Sequence, residues 1–303
     1  MRYLTIGIGA LLVSAGCTSF PSFRSSPPPP PPVAGKVPAE TPSAEALVGY
    51  LNANAQKIQS IDCRELDLDA KQGIQGAGLR GWLVCQKNKN FRMAAKAIGP
   101  ELDMGSNDQE FWFWIKRADP PHVYHCSYDA LARGGVRLPF PFQPQWIMEA
   151  LGMAEHGAGD KFRVQTTATT YELIEETRSP QGAPVQKVTV FQRAQAQPPY
   201  PQVVAHILRD AGGKEICGAY ISETQTDRVS GAIFPKRIRL VWPSEKMELK
   251  MKLDDVVIND RSVDTRAARL FARPQMPHYS PFDLARGVDQ PTGQVRRTGG
   301  VAH

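Results

Sequence analysis

The chain has 303 residues, with 36 Lys and Arg against 30 Asp and Glu, so its net charge is +6. Apolar residues make up 42% and charged residues 22%, which is typical of a globular chain and excludes wholesale disorder. The charge excess is small and scattered, so it does not indicate nucleic-acid binding. Proline is the outlier: nine of the 26 prolines lie between Pro21 and Pro42.

Residues 1–16 have the layout of a secretory signal. Arg2 precedes an uncharged, mostly apolar run from Tyr3 to Gly16 that is too short to span a bilayer. The end of this run and the next residue read Val-Ser-Ala-Gly-Cys, which resembles a bacterial lipobox. The resemblance implies cleavage before Cys17 and lipidation of that residue. The alternative is an ordinary signal peptide with Cys17 as an incidental thiol. With lipidation, Thr18 in place of aspartate favours the outer membrane of a Gram-negative-type bacterium, with the protein facing the periplasm.

Residues 17–40 are predicted to be the lipidated cysteine and a tether. The unbroken prolines from Pro27 to Pro32 exclude a helix or a central strand, because proline lacks an N–H and fixes φ. A polyproline spacer rises about 3.1 Å per residue, so this stretch could reach roughly 70 Å. A tail of no mechanical importance is the alternative. We assign 41–273 to a β domain and 274–303 to a partly disordered C-terminal tail.

The β domain is predicted to open with a helix at about 42–59. Thr41 can cap this helix, and Pro42 can occupy its first position. Leu47, Tyr50, Leu51, Asn54 and Ile58 form an apolar stripe with one polar break at Asn54. A second helix is expected near 143–152.

Twelve strands follow from alternating patterns bounded by Gly, Pro, Asp and Asn. They are expected at 61–69, 79–87, 91–98, 109–117, 121–128, 161–166, 169–178, 185–193, 202–209, 215–226, 233–242 and 245–254. One hairpin can be aligned by assuming a Pro243-Ser244 turn, which places Ile238 opposite Leu249 and Leu240 opposite Met247. Apolar then faces apolar on one side of an antiparallel sheet, and charged residues lie on the other.

The segment Phe111-Trp112-Phe113-Trp114 is aromatic on both faces, which predicts a strand covered on both sides. Such a strand lies in a core between sheet and helix or forms the wall of an apolar cavity. Both interpretations remain open at this point.

The cysteines and the polar residues give no indication of catalysis. Cys63, Cys85, Cys126 and Cys217 leave two alternatives, a 63–85 disulfide between neighbouring strands or four buried free thiols. No hydrolase, metalloprotease or nucleotide-binding motif occurs. We therefore predict a protein that is not an enzyme and that needs no cofactor or metal.

A short pattern carries a resemblance to a known family. The first helix is followed, in this order, by Asn90-Phe91-Arg92, Pro100, Asp103 and a polar loop that leads into Phe111–Trp114. The domain closes with Ala268–Phe271 and Pro274. This order resembles the outer-membrane lipoprotein-sorting family of LolA/LolB-like periplasmic carriers and acceptors. The resemblance implies a mainly β (α+β) fold: a strongly curved antiparallel sheet forming an unclosed β-barrel, with helices covering the open side.

The resemblance further implies an apolar cavity for acyl chains or a lipoprotein. Methionines suit a wall that meets a variable ligand, because the side chain adapts its shape. The expected wall residues are Trp82, Phe91, Met93, Trp112, Trp114, Ile238, Leu240, Trp242, Met247, Leu249 and Met251. By the same resemblance, Arg92 makes hydrogen bonds that hold a lid closed. The family's acceptor also has a protruding apolar loop residue, to which no position is assigned here.

The expected protein is a monomer bound to the membrane through its lipid anchor. The alternative function is a structural or interaction lipoprotein that uses the same fold without a lipid ligand. Its contact with the envelope would be a basic face formed by Lys236, Arg237, Arg239, Lys250 and Lys252. A partnered histidine or carboxylate in a cleft would instead favour an enzyme.

Overall fold

The computed structural model describes residues 41–286, except 74, 88, 117, 119, 121, 135, 137–143, 180–181 and 194–201. The helices are α1 (Ala44–Ala55), α2 (Tyr128–Ala132), α3 (Pro144–Ala150) and α4 (Arg261–Leu270). The first seven strands are β1 (Ser60–Gln72), β2 (Gln75–Gln86), β3 (Asn90–Lys96), β4 (Pro100–Ser106), β5 (Glu110–Ile115), β6 (Val123–Ser127) and β7 (Phe162–Thr166). The others are β8 (Thr170–Arg178), β9 (Pro184–Gln192), β10 (Val203–Asp210), β11 (Glu215–Thr226), β12 (Ile233–Trp242), β13 (Met247–Ile258) and β14 (Pro281–Asp283).

All fourteen described strands join one curved sheet that does not close. Their order is β14-β6-β5-β4-β3-β2-β1-β13-β12-β11-β10-β9-β8-β7, so the described sheet ends at β14 and at β7. Neighbouring strands are antiparallel, apart from the parallel pair of β14 and β6. The prediction of a mainly β, unclosed barrel-like sheet is confirmed.

The core lies on one face of this sheet, which we call the inner face. Nine consecutive strands, from β6 to β11 in sheet order, supply buried apolar side chains to a single cluster. Leu83, Met93 and Leu240 are among its fully buried members. Because strands so far apart in sheet order share one cluster, the sheet must curve strongly around it. The opposite surface, which carries Trp82 and Trp114, is the outer face.

Two asparagines fix helix α1, one to the sheet and one to the segment that follows α3. Asn54 donates to the Ile233 carbonyl (2.8 Å) and accepts from the Ile233 N–H (2.8 Å). Asn52 makes the same pair of hydrogen bonds with the backbone N–H and carbonyl of His156, at 2.7 and 3.0 Å. The polar break in the predicted apolar stripe is therefore a docking residue.

The predicted start of this helix was wrong by two residues. Ser43, and not Thr41, is the N-cap, since its hydroxyl accepts from the Ala46 N–H at 3.2 Å. Pro42 consequently lies outside the helix.

Four elements were not predicted: β4, α2, α4 and β14. Strand β4 begins at Pro100 and contains Gly105, two residues that usually argue against a strand. Both are accommodated, because a proline can be the first residue of a strand and because the Trp112 indole covers Gly105. A Cβ at Gly105 would lie 2.5 Å from that ring.

The chain after β13 forms a C-terminal strap, defined as residues 261–286. Val263 of α4 and Phe271 pack against Val84 on the outer face, and Tyr279 contacts Trp114 edge-on at 5.0 Å. Strand β14 then pairs with β6, and Leu284 is buried in the inner cluster. The first part of the predicted tail thus contributes to the fold; residues 287–303 lie outside the described part.

The predicted β12–β13 hairpin has the correct faces, but its register was wrong by two residues. Leu240 pairs with Leu249 and Ile238 with Met251, because the turn holds four residues, Pro243–Lys246, instead of two. A shift of two residues preserves the face on which each side chain lies. On the charged side, Arg239 and Glu248 lie diagonally and form an ion pair at 3.3 Å.

The four cysteines are buried free thiols, so the 63–85 disulfide is wrong. Cys63 pairs with Leu83 and Cys85 with Ile61, which places the two cysteines diagonally on adjacent strands. Diagonal neighbours are about 7–8 Å apart, with the Cβ–Cβ distance somewhat shorter, whereas a disulfide requires a Cβ–Cβ distance of roughly 3.5–4.5 Å. Burial raises the pKa of the Cys63 thiol to about 12, which makes it unreactive.

Candidate functional site

The eleven predicted wall residues lie on both faces of the sheet. The inner face carries eight of them: Phe91, Met93, Ile238, Leu240, Trp242, Met247, Leu249 and Met251. Trp82, Trp112 and Trp114 lie on the outer face, because alternate residues of a strand point to opposite sides. The strand with aromatic residues on both faces is buried on both, as predicted.

Helix α3 lies against the inner face at the position where the predicted cavity would be. Its Trp146 meets Trp242 of β12 edge-on, with ring centroids 5.9 Å apart, and Ile147 and Met148 are buried in the same cluster. Sheet methionines such as Met93 belong to this cluster as well. The inner surface is therefore apolar and adaptable, and a helix of seven residues packs against it.

A partly buried ion pair ties α3 to the sheet. Glu149 of α3 accepts a hydrogen bond from the Lys187 ammonium of β9 at 2.9 Å. Burial acts to raise the pKa of Glu149, but Lys187 and the neighbouring His206 outweigh it and hold the pKa below its ordinary value. At the other end of the helix, Gln145 donates to the Tyr128 hydroxyl.

A small cavity with a few polar side chains in its lining lies between α1, α3 and the sheet. It has a volume of about 50 Å³, and Asn54, Glu149, His156 and His206 are among its lining residues. Burial lowers the pKa of His206 to about 4, so this imidazole is neutral at physiological pH. Its Nδ1 lies 3.4 Å from the Thr189 hydroxyl.

This cavity is poorly suited to catalysis. Its volume corresponds to a few water molecules, its lining includes no serine or cysteine, and Glu149 is already bound to Lys187. Among the described residues, no three His, Cys, Asp or Glu side chains come close enough to hold a metal ion. A partnered histidine or carboxylate in a cleft would have favoured an enzyme. This cavity contains histidines, but it has no space for a substrate.

Arg92 lies on the outer face and holds the C-terminal strap. Its guanidinium binds both oxygens of Asp103 on β4, at 2.9 and 3.2 Å, and donates to the Leu270 carbonyl at 2.9 Å. The Trp82 ring lies 5.7 Å from the guanidinium carbon. Arg92 therefore fixes the last turn of α4, which covers the outer face, while α3 covers the inner one.

A second space lies on the outer face, next to the strap. This outer groove has a volume of about 750 Å³ and is lined by Gly81, Trp82, Ala94, Trp114 and Met276, with charged residues along it. Two of the predicted wall residues, Trp82 and Trp114, thus line a space of ligand size. The sequence did not indicate this groove, because the strap that borders it was not predicted as an element.

Each of the five cations on the predicted basic face has a carboxylate partner, and three carboxylates serve them all. Lys236 and Arg237 bind Glu223 at 3.0 and 2.8 Å. Arg239 and Lys250 bind Glu248 at 3.3 and 3.4 Å, and Lys252 binds Asp254. A surface whose cations already have carboxylate partners gives little support to binding of an anionic envelope component.

One loop residue is notable for its exposure. Ile98, in the β3–β4 turn, is fully exposed (107%), and Val229 in the β11–β12 loop is nearly so (95%). The sequence prediction placed Ile98 at the end of a strand. The Gly99-Pro100 pair that follows is the available signal for a turn tip there.

The comparisons with known proteins found similarity in the fold and none in the sequence. No family model and no curated protein matches the sequence. A solved domain from Vibrio parahaemolyticus, described as that of an outer membrane lipoprotein-sorting protein, is similar over 74% of this chain and 97% of its own, with 7% identity and a TM-score of 0.47. A DUF1329 family protein from Desulfovibrio piger is also similar over 74% of this chain and 97% of its own, with 9% identity and a TM-score of 0.46.

A LolA superfamily protein from Nitrosomonas europaea is similar over 75% of this chain and 97% of its own, with 11% identity and a TM-score of 0.43. No helix among the described residues has the length and apolar character needed to cross a bilayer. Cys17 lies outside the described residues.

Proposed function

We propose that this protein is a lipid-anchored, non-catalytic protein of the cell envelope that holds acyl chains, free or on a lipoprotein, against its inner face. The observation that carries the proposal is the apolar inner surface of nine strands, whose helical cover is short. The eight inner wall residues, from Phe91 on β3 to Met251 on β13, would contact the ligand. In this proposal the apolar side chains of α3 occupy the space of an absent chain.

The energies allow such an exchange. Burying Trp146, Ile147 and Met148 contributes about 1.5–3 kcal/mol each, or roughly 5–9 kcal/mol together. An acyl chain of about fifteen methylenes gains roughly 12 kcal/mol on burial, at about 0.8 kcal/mol per CH₂. A long chain can therefore offset the loss of the α3 contacts, whereas a short chain cannot.

Anchoring and location complete the proposal. A lipidated Cys17 would hold the chain at the outer membrane on its periplasmic side, with residues 18–40 as the spacer and a monomeric domain beyond it. Ile98 is our candidate for the protruding apolar loop residue that the family resemblance implies, because its whole side chain is in solvent. It would touch the membrane surface or the apolar part of a ligand.

Quenching of tryptophan fluorescence by a brominated fatty acid tests the site, because the five tryptophans are divided between the faces. Trp146 and Trp242 lie on the inner side, and Trp82, Trp112 and Trp114 on the outer side. The full chain carrying Trp82→Phe and Trp114→Phe should still be quenched by a brominated long-chain fatty acid. Adding Trp146→Phe and Trp242→Phe should remove that quenching.

A short brominated acid is the matched ligand control and should quench weakly, since it cannot offset the α3 contacts. Absence of quenching in the Trp82→Phe/Trp114→Phe variant by the long-chain acid, in a protein that unfolds cooperatively, would overturn the proposal.

A further inference from the structure

We propose that the outer groove is a separate lipid site, which takes one acyl chain of a zwitterionic phospholipid from a membrane surface. The site uses none of the eight inner wall residues, so it does not depend on the function proposed above.

The groove has the shape and the lining for a chain. Trp82 on β2 and Trp114 on β5 lie on its walls, Met276 of the strap adds a flexible apolar side chain, and Ala94 leaves the surface between them low. Gly81 lies beside them, where β2 and β3 approach so closely that a Cβ would lie 2.1 Å from the Ala94 carbonyl oxygen. The volume of about 750 Å³ lies within the range of small-molecule sites.

A buried donor without a partner indicates a ligand that carries acceptor oxygens. The indole N–H of Trp114, a residue that lines the groove and is 3% exposed, is buried and makes no hydrogen bond within the described part of the chain. A buried donor without an acceptor costs about 1–3 kcal/mol. The ester carbonyls of a glycerolipid are acceptors at the end of an apolar chain.

Charge on the groove lining favours a headgroup that carries both signs. Arg80 is 89% exposed and pairs with Asp67 only at 3.8 Å, and Lys96 and Glu65 are exposed beside them. Cations and carboxylates in one rim suit a phosphate together with an ammonium group. A purely anionic headgroup would meet the carboxylates Glu65 and Asp67.

The position of Ile98 relates the groove to a membrane. It lies two residues beyond Lys96, at the tip of the hairpin whose strands, β3 and β4, contribute Ala94 and Asp103 to the groove. An exposed isoleucine next to lysine, arginine and tryptophan is the combination found at membrane interfaces. A chain leaving the bilayer at this tip would therefore meet the end of the groove.

Vesicles of phosphatidylethanolamine and phosphatidylcholine with brominated acyl chains test the site. The full chain carrying Trp146→Phe and Trp242→Phe retains only the outer tryptophans and should still be quenched. Ala94→Phe fills the groove and should weaken binding about tenfold, since it removes space for about two methylenes. Ile207→Phe, on the outer face of β10 far from the groove in sheet order, is the matched control and should bind as the parent does.

Three results would overturn the assignment. The first is loss of quenching in Trp146→Phe/Trp242→Phe while Trp82→Phe/Trp114→Phe is still quenched, which would leave the inner site as the lipid site. The second is equal binding by Ala94→Phe and Ile207→Phe. The third is tighter binding to purely anionic phosphatidylglycerol vesicles, which would refute the zwitterionic headgroup.

Discussion

His206 should make the stability of the fold depend on pH between about 4 and 6.5. The imidazole is 5% exposed on β10, beneath α3. Burial is the main cause that lowers its pKa from 6.5 to about 4; Glu149 opposes this shift, and His156 and Lys187 add to it. A shift of this size corresponds to about 3 kcal/mol, at roughly 1.4 kcal/mol per pKa unit.

The sign follows from proton binding. Between pH 6.5 and about 4 the unfolded chain binds a proton at residue 206 and the folded chain does not. Acidification through this window therefore lowers the free energy of unfolding, by up to about 3 kcal/mol from this residue. Burial also lowers the pKa of His156, which acts in the same direction.

Urea unfolding of the full chain at several pH values, with far-UV circular dichroism as the probe, measures this slope. His206→Gln keeps a polar side chain near Thr189 and should flatten the profile across the window, whatever its effect at pH 7. His278→Gln, which removes an exposed imidazole, shows how much slope is lost with any one histidine. Equal slopes for the parent and His206→Gln would refute the reasoning.

Three further changes in the full chain test how the fold is fixed, the first two by the urea midpoint and the third by hydrogen exchange. Asn54→Ala removes both bonds to the Ile233 backbone and should cost about 1–3 kcal/mol; Asn54→Asp keeps the acceptor but sets a carboxylate oxygen against the Ile233 carbonyl, so it should not recover the loss. Gly81→Ala sets a methyl against the Ala94 carbonyl and should cost about 1–3 kcal/mol; a neutral result would contradict the close approach. Arg92→Lys cannot hold Asp103 and the Leu270 carbonyl together as the guanidinium does, so it should loosen the strap. The effect should be seen as faster hydrogen exchange in α4; unchanged exchange would contradict that role.

The alternation of apolar and polar residues predicted the strands well where one face of the sheet is exposed to solvent. The alternation of Met247, Leu249, Met251 and Leu253 with charged residues identifies β13 and its inner side directly. The register could not be derived as securely, because a two-residue and a four-residue turn at Pro243 place the same side chains on the same faces. Only the position of the turn bonds, such as Lys246 N–H to the Pro243 carbonyl at 3.2 Å, distinguishes them.

The missed elements divide into two kinds. For α4 a local signal exists: Asp260 caps the helix, and Val263, Ala267 and Leu270 recur at helical spacing. For β14 there is none, because three residues that include a proline form a strand only where the edge of β6 is available. Tertiary contact creates that element, so sequence pattern alone does not indicate it.

The candidate site shows the same limit on a larger scale. The resemblance implied one wall, but strand geometry divides it, since Trp82 and Leu83 must point to opposite sides of β2. The sequence predicts this division between the two faces. It does not predict which element covers each face. That depended on α3 and on the strap, whose contacts join residues far apart in the chain, such as Arg92 and Leu270.

Strand β3 connects the two proposed sites, and this has a consequence for how they would respond to each other. Met93 belongs to the inner cluster, while its neighbours Arg92 and Ala94 belong to the strap contact and the outer groove. A chain that displaced α3 would press on one side of a strand whose other side is held to the strap by the hydrogen bond from Arg92 to the Leu270 carbonyl. Because close-packed interiors transmit such strain, the strap would resist opening of the inner face, and the two lipid sites would not fill independently.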